Sequence, residues 1–252
     1  MYILKKSLGQ HFLHDENMCQ KIVDQVTLSE GLNLVEVGPG GGALSKYLLE
    51  IPNINYKAIE IDDDKVNYLK ATYPAITDKL IHIDFLKSTI PFEGQFSLVG
   101  NFPYNISSQI LFKVLDWHDQ VDEVIGMFQK EVALRVAAAS GKKDYGILSV
   151  LIQSYFDVTY LFDVHENCFT PPPKVKSGVI RLKNAGNKYQ IDQFPKFQKM
   201  VKTAFGQRRK TLRNALRPLI APEQLGDEIF NKRAEQLSVA EFVAMYNQYF
   251  KK

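Results

Sequence analysis

Four residues, Asn101-Phe102-Pro103-Tyr104, carry the most specific chemistry in this sequence of 252 residues. They follow an apolar run, Phe96-Ser97-Leu98-Val99-Gly100, that reads as a buried strand. Pro103 removes a backbone donor and fixes the direction of the chain. Peptide carbonyls beside it are then free to accept hydrogen bonds. The Asn101 side-chain oxygen is a further acceptor, and the Tyr104 ring is a flat platform. Two acceptors beside a π-face suit an exocyclic amino group on a planar base, as N6-methylation of adenine requires. In such a reaction Asn101 and the Pro103 carbonyl hold N6 and draw its lone pair out of conjugation. Tyr104 stacks on a base taken out of its own stack. Phe169 is the candidate to close the other face of that base, against a reading as a core residue beside Pro171-Pro172-Pro173. The competing reading of the tetrad is a strand-ending turn, since Asn and Pro are ordinary turn residues.

A second cluster suits a nucleotide-like ligand. Glu36-Val37-Gly38-Pro39-Gly40-Gly41-Gly42-Ala43 sits between a strand and a helix, and its glycines let backbone approach a ligand closely. The spacing also satisfies G-x-G-x-x-A, so a dinucleotide site is weighed. Glu60 ends the next strand about twenty residues later, where an acid accepts from ribose hydroxyls. Asp84 ends the third strand and could accept from an adenine amino group, or serve as a turn acid. Three features favour S-adenosylmethionine over a dinucleotide. Glu36, just ahead of Gly38 and Gly40, suits a cationic amino group. Pro39 stiffens the turn without serving a pyrophosphate. The Asn101–Tyr104 tetrad has no role in hydride transfer.

The elements that must position these residues alternate between strand and helix patterns. Strands are expected at 33–37, 56–61, 79–85, 95–101 and 121–128, with helices at 15–26, 43–50, 63–72, 107–115, 130–139 and 146–156. Asp157–Val164 and Val175–Lys183 read as a terminal antiparallel pair. This pattern predicts an α/β fold, a doubly wound sheet with helices on both faces. Asn184-Ala185-Gly186-Asn187-Lys188 reads as a linker, so domains are expected at 1–184 and 185–252. The second pattern is helical, with Ser238 and Glu241 forming a capping box.

Charge is distributed unevenly. Between Pro171 and Ile220 there are 13 Lys/Arg and one acid, Asp192, so the rest of a chain of net charge +3 carries −9. A basic face on an otherwise acidic protein is the footprint of a polyanion partner. Arg208, Arg209, Lys210, Arg213 and Arg217 supply phosphate contacts expected on one helical segment, with Lys174 and Lys176 adding to them. Cys19 and Cys168 are far apart and lack a metal context, so free thiols in a reducing cytoplasm are expected. His14, His82, His118 and His165 have no metal-type spacing, and no metal is expected. No apolar run has the length of a membrane span, and no secretory signal opens the sequence.

The chain resembles the KsgA/RsmA ribosomal RNA adenine dimethyltransferases. The resemblance rests on Lys6-Ser7-Leu8-Gly9-Gln10-His11-Phe12-Leu13, on Glu36 to Gly40, on Ile59-Glu60-Ile61-Asp62 and on Gly100 to Ser107. It continues through Gln129 to Val132, Tyr145 to Val150, Phe169 to Val175 and Gln207 to Asn214. It implies a Rossmann-like S-adenosylmethionine-dependent methyltransferase domain with a small all-α C-terminal domain that binds RNA. It implies dimethylation at N6 of two adjacent adenosines in the hairpin loop near the 3′ end of 16S ribosomal RNA. The partner is then the small ribosomal subunit or its precursor, and the enzyme a monomer. Cofactor positions of the family fall on His11, Leu13, Gly38, Glu60, Asp84 and Asn101. His11 stands where the family usually has Asn, and Phe102 where it has an aliphatic residue. The alternatives are an Erm-type large-subunit methyltransferase, a DNA adenine methyltransferase, and an RNA-binding assembly factor with secondary catalysis.

Overall fold

The residues Asn33-Leu34-Val35-Glu36-Val37 cannot face water on either side. Four of the five are buried, so the segment can only be a central strand with both faces covered. In the computed structural model, which describes residues 11–251, it is one of seven strands in one sheet. The chain enters through a two-residue strand, β1 (Phe12–Leu13), and helix α1 (Glu16–Val23). It then alternates β2 (Asn33–Val37), α2 (Ser45–Leu48), β3 (Asn55–Glu60), α3 (Asp63–Thr72) and β4 (Leu80–His82). It continues with β5 (Phe96–Asn101), α4 (Ser107–Asp116), β6 (Val121–Gln129), α5 (Lys130–Ala137), α6 (Ile147–Gln153) and β7 (Phe156–Val164). The short β8 (Phe169–Thr170) pairs antiparallel with β1, and β9 (Ser177–Asn184) follows. The sheet order is β4-β3-β2-β5-β6-β9-β7. The β3–β4, β2–β3, β2–β5 and β5–β6 pairs are parallel, and β9 runs antiparallel to β6. The expected terminal pair is therefore adjacent, with β9 inserted between β6 and β7.

Local chemistry accounts for most element ends. Asp15 caps α1, its side chain accepting from the Met18 amide at 2.9 Å. Asp62 caps α3 through the Asp64 amide at 3.0 Å. The helix expected at 43–50 shortens to the single turn α2. The amides of Glu50 and Ile51 turn back to the carbonyls of Tyr47 and Leu48, the tighter bonding of a helix end, and Pro52 follows. The strand expected at 79–85 shrinks to the three residues that pair with Ala58–Glu60.

The chain divides into two compact units. One contains the chain up to Ala133 together with Thr159–Asn184; the other contains Leu134–Val158 together with the chain from Ala185 onward. The second unit thus draws on 134–158 as well as on the residues after 184. Its helices are α6, α7 (Phe194–Gly206), α8 (Leu212–Ala215) and α9 (Val239–Tyr249), joined by short 3-10 turns. Ser238 and Glu241 do form the capping box of α9. Phe197, Met200 and Val201 of α7 and Phe242, Met245 and Tyr246 of α9 are buried, and the Phe197 and Tyr246 rings meet edge to face at 5.6 Å.

One buried acid ties the end of α1 to the sheet. Glu123 on β6, 1% exposed, accepts from the Thr27 amide at 2.9 Å and the Thr27 hydroxyl at 2.8 Å. Arg181 on β9 places Nε 3.3 Å from the same carboxylate and donates through Nη2 to the Gln25 carbonyl at 2.6 Å. Removing the acid strands a guanidinium and two donors. Glu123→Ala is therefore expected to cost about 2–4 kcal/mol in urea unfolding. A loss under about 1 kcal/mol, the level of an ordinary surface change, would remove this anchor from the account.

Candidate active site

A single cavity gathers the carboxyl ends of β2, β3 and β5, where ligands of parallel sheets bind. Its lining includes His11, Leu13, Glu36, Gly38, Gly40, Glu60, Asp84, Asn101, Pro103 and Tyr104. Every candidate cofactor residue from the sequence therefore meets in one place, as does the tetrad.

The glycine turn is built for close approach. Gly38 and Gly40 have φ of +68° and +60°, a region that side chains with a Cβ rarely adopt. The Gly38 amide donates to the Ile59 carbonyl at 2.8 Å, and the Gly40 amide to Glu60 Oε2 at 3.1 Å. Glu60 Oε1 also takes the amides of Ile61 and Asp62, at 2.9 and 3.0 Å. Three donors thus fill most of the roughly four acceptor positions of this carboxylate. Asp84 caps the following turn, accepting from the Leu86 amide at 2.9 Å, so the turn-acid reading and the cavity position coexist.

Glu36 is the most unusual group. It is 1% exposed, and both its bonds fall on Oε2: the Ser45 hydroxyl donates at 2.7 Å, and the Tyr56 hydroxyl donates as well. Burial pushes its pKa up to about 7; the two hydroxyls pull it down and the nearby Glu60 charge adds to the rise. A buried acid lining a cavity suits a cationic group, which would replace the missing solvation.

The tetrad forms a corner at the end of β5. Phe102 is buried at 1%, its ring 5.0 Å from that of Phe128. The slot exists because Gly126 lies beneath it, where a Cβ would meet both rings at about 2.5–2.6 Å. Phe102 anchors the corner while Asn101 and Tyr104 stay on the cavity. Asn101 Nδ2 donates to the His11 carbonyl at 3.4 Å, which leaves Oδ1 as the accepting atom. The Tyr104 hydroxyl bonds the buried Ser177 hydroxyl, and burial raises its pKa.

Three expectations need correction. The Pro103 carbonyl is occupied by the Ile106 amide at 3.2 Å and the Ser107 hydroxyl at 3.3 Å, because the chain tightens into a 3-10 turn there. The Phe102 carbonyl has no such partner among the described residues. Phe169 is 2% exposed in the core, paired with Leu13, and does not line the cavity. Arg208, Arg209 and Lys210 lie in the turn after α7, with Arg213 on α8 and Arg217 beyond it, so they do not share one helix. All five are exposed, and Arg208 Nη2 donates to the Lys143 carbonyl at 2.6 Å. Lys174 and Lys176, in the other unit, are exposed too. The residues Lys6 to Gln10 of the amino-terminal motif lie outside the described residues.

Sequence reading missed Ile61 and Ile83, which are 55% and 37% exposed on the cavity. Their signal was available: each is apolar and adjoins a strand-end acid, Glu60 or Asp84. The partners of Glu36 and Tyr104 carried no comparable signal. Among the described residues no group of three His, Cys, Asp or Glu could hold a metal. Cys19 and Cys168 are free. No helix among the described residues is long and apolar enough to cross a membrane.

Known structures share this architecture. A dimethyladenosine transferase from Plasmodium falciparum matches with a TM-score of 0.80 at 23% identity, over 95% of this chain and 100% of the other. The 23S rRNA methyltransferase ErmE matches with 0.70 at 23%, over 94% and 100%. The fold is that of a Rossmann-like methyltransferase. The family model for ribosomal RNA adenine dimethylase matches residues 2–251, and the chain belongs to that family. Proteins named ribosomal RNA small subunit methyltransferase A are similar throughout. The one from Cytophaga hutchinsonii is 51% identical over 96% of both chains. That from Flavobacterium johnsoniae is 52% identical over 96% of this chain and 94% of its own.

The raised pKa of Glu36 has a defined sign. The folded state holds the proton more tightly than the unfolded state, so the contribution of Glu36 to stability is greatest below about pH 4.5 and falls as pH rises to about 7. The difference is on the order of 3 kcal/mol for this fully buried group. Glu36→Gln should gain stability over the parent across that window in denaturant titrations. Parallel pH profiles for the two proteins would contradict the assignment.

Proposed function

We propose that this chain transfers methyl groups from S-adenosylmethionine to N6 of two adjacent adenosines in the hairpin loop near the 3′ end of 16S ribosomal RNA. The substrate is the small ribosomal subunit or its precursor, and the enzyme works in the cytoplasm as a monomer. The observation that carries this reading is the corner at the end of β5. There Asn101, Phe102, whose carbonyl has no partner among the described residues, and Tyr104 line the same cavity as three acids on three neighbouring strand ends. The names of relatives at about half identity support the small subunit over the large one.

The residues fit the cofactor. Glu36 answers its cationic amino group, Glu60 its ribose and Asp84 its adenine amino group, with Ile61 and Ile83 as apolar surfaces at the mouth. Leu13 and the Gly38–Gly40 turn complete the wall. When bound, the cofactor supplies a methyl group on a sulfonium, an excellent leaving group. The protein's task is then chiefly positioning. Asn101 Oδ1 and the Phe102 carbonyl accept from N6, and the lone pair turns out of conjugation. Tyr104 supports the base. The product cation loses its proton readily, so no strong base is required, and the corner contains none.

A hairpin loop lets a base leave its stack at lower cost than a duplex. Arg208, Arg209, Lys210, Arg213 and Arg217 on one unit, and Lys174 and Lys176 on the other, provide phosphate contacts that position RNA.

Purified protein incubated with labelled S-adenosylmethionine and undermethylated subunits should label 16S RNA as N6-dimethyladenosine. Label confined to large subunits would overturn the proposal. Changing Arg208, Arg209 and Lys210 together to Ala should weaken RNA binding and reduce the salt slope by about 2–3. Cofactor affinity should be unchanged. A salt slope equal to that of the parent would dismiss this basic turn as an RNA contact.

A further inference from the structure

Resting on the reading of 16S RNA as the partner, we infer that the loop Ser140-Gly141-Lys142-Lys143-Asp144 is a second arm of the RNA surface. Lys142 and Lys143 are its phosphate contacts, and Arg208 is the residue that sets the loop beside the turn after α7. The loop and that turn belong to the same compact unit.

Three bonds shape the loop. The Gly141 amide donates to the Glu235 carbonyl at 2.7 Å, and the Tyr145 amide to the Lys142 carbonyl at 3.2 Å. Arg208 Nη2 donates to the Lys143 carbonyl at 2.6 Å. Gly141 has a φ of +79°, which its lack of a Cβ permits. Behind the loop the buried Tyr145 ring meets Phe205 of α7 edge to face at 6.1 Å. The loop is thus tied to two other segments, one before α8 and one before α9.

Charge singles out what this shape presents. Lys142 and Lys143 are exposed, and neither forms an ion pair among the described residues; the same holds for Arg208, Arg209 and Lys210. Elsewhere in the unit, Lys188 pairs with Asp157 and Lys232 with Glu241, both at 2.8 Å. The loop and the turn together therefore present five unpaired cations against one acid, Asp144. The third segment adds no net charge, since Arg233 offsets Glu235. Arg208 spends one of its five donors on the loop and keeps the others for an anion. Its acceptor is a neutral carbonyl, so the bond positions the guanidinium without neutralising it. A phosphate on Arg208 then lies close to Lys143. A basic run alone is usually a solvated face. A loop already held in place costs less to order when a polyanion binds.

Binding of the full-length protein to undermethylated small subunits and to protein-free 16S RNA is measured across a salt series. Lys142→Ala with Lys143→Ala should reduce the salt slope by about 1–2, and Lys142→Arg with Lys143→Arg should keep it. S-adenosylmethionine affinity, measured by calorimetry, should be unchanged in both, which also reports a folded protein. Adding Arg208→Ala to the alanine pair should cost less than the sum of the two effects, because Arg208→Ala alone already frees the loop. Adding Arg209→Ala should be additive. A salt slope equal to the parent's in the alanine pair would overturn the inference and leave the proposed reaction intact. An equal drop in the arginine pair would also overturn it, by giving the effect to loop shape. Weakened binding to subunits with unchanged binding to protein-free RNA would overturn it too, and assign the loop to a ribosomal protein. A parent whose RNA binding depends on these lysines but which never methylates would remove the proposed reaction and leave the phosphate surface standing.

Discussion

The burial of one aromatic ring governs the candidate site. Phe102 sits between a residue that presents an amide and a residue that presents a phenol, and it points its own side chain into the core. Gly126 leaves the space, and Phe128 closes it. With that ring fixed, the backbone at the end of β5 has one course. Asn101 meets the His11 carbonyl, Tyr104 meets Ser177, and the Phe102 carbonyl between them has no partner among the described residues. An aliphatic residue would fill less of the slot, so this chain has a bulkier anchor than the family pattern implies.

Around that corner the sheet contributes acids that water cannot reach freely. Glu36 and Glu60 are nearly inaccessible, yet they are satisfied differently. Glu60 is tied by three backbone amides and stabilises the turn that frames the cavity. Glu36 has two hydroxyl donors on one oxygen, and it holds its proton up to near neutral pH. The first acid braces the turn with three of its roughly four acceptor positions and keeps one for a ligand hydroxyl. The second has unmet demand for positive charge, and that asymmetry gives the cavity a direction.

Much of this was legible in the sequence because it depends on local chemistry. The capping box of Ser238 with Glu241 and the span of α3 follow from residues a few positions apart. Glu36, Glu60, Asp84 and Asn101 converge because parallel strands place their carboxyl ends on one edge. What could not be read depends on distant segments. The insertion of β9 between β6 and β7, the hold of Ser177 on Tyr104 and the core position of Phe169 are pairings across tens of residues. The engaged Pro103 carbonyl is a subtler case. A proline suggests freed carbonyls nearby, but the tight turn after it claims one of them.

The second compact unit is assembled from two separated stretches of chain. Tyr145, which precedes α6, packs its ring against Phe205 of α7, and Ala185 donates its amide to the Tyr155 carbonyl. The polar stretch after β9 is therefore one of three places where the chain passes between the units, and not the sole boundary. A hybrid enzyme that exchanged only the residues after 184 would transplant part of a folded body and strand the rest among foreign neighbours. The piece that can be inherited or swapped as a whole is discontinuous, and selection must keep its two stretches matched.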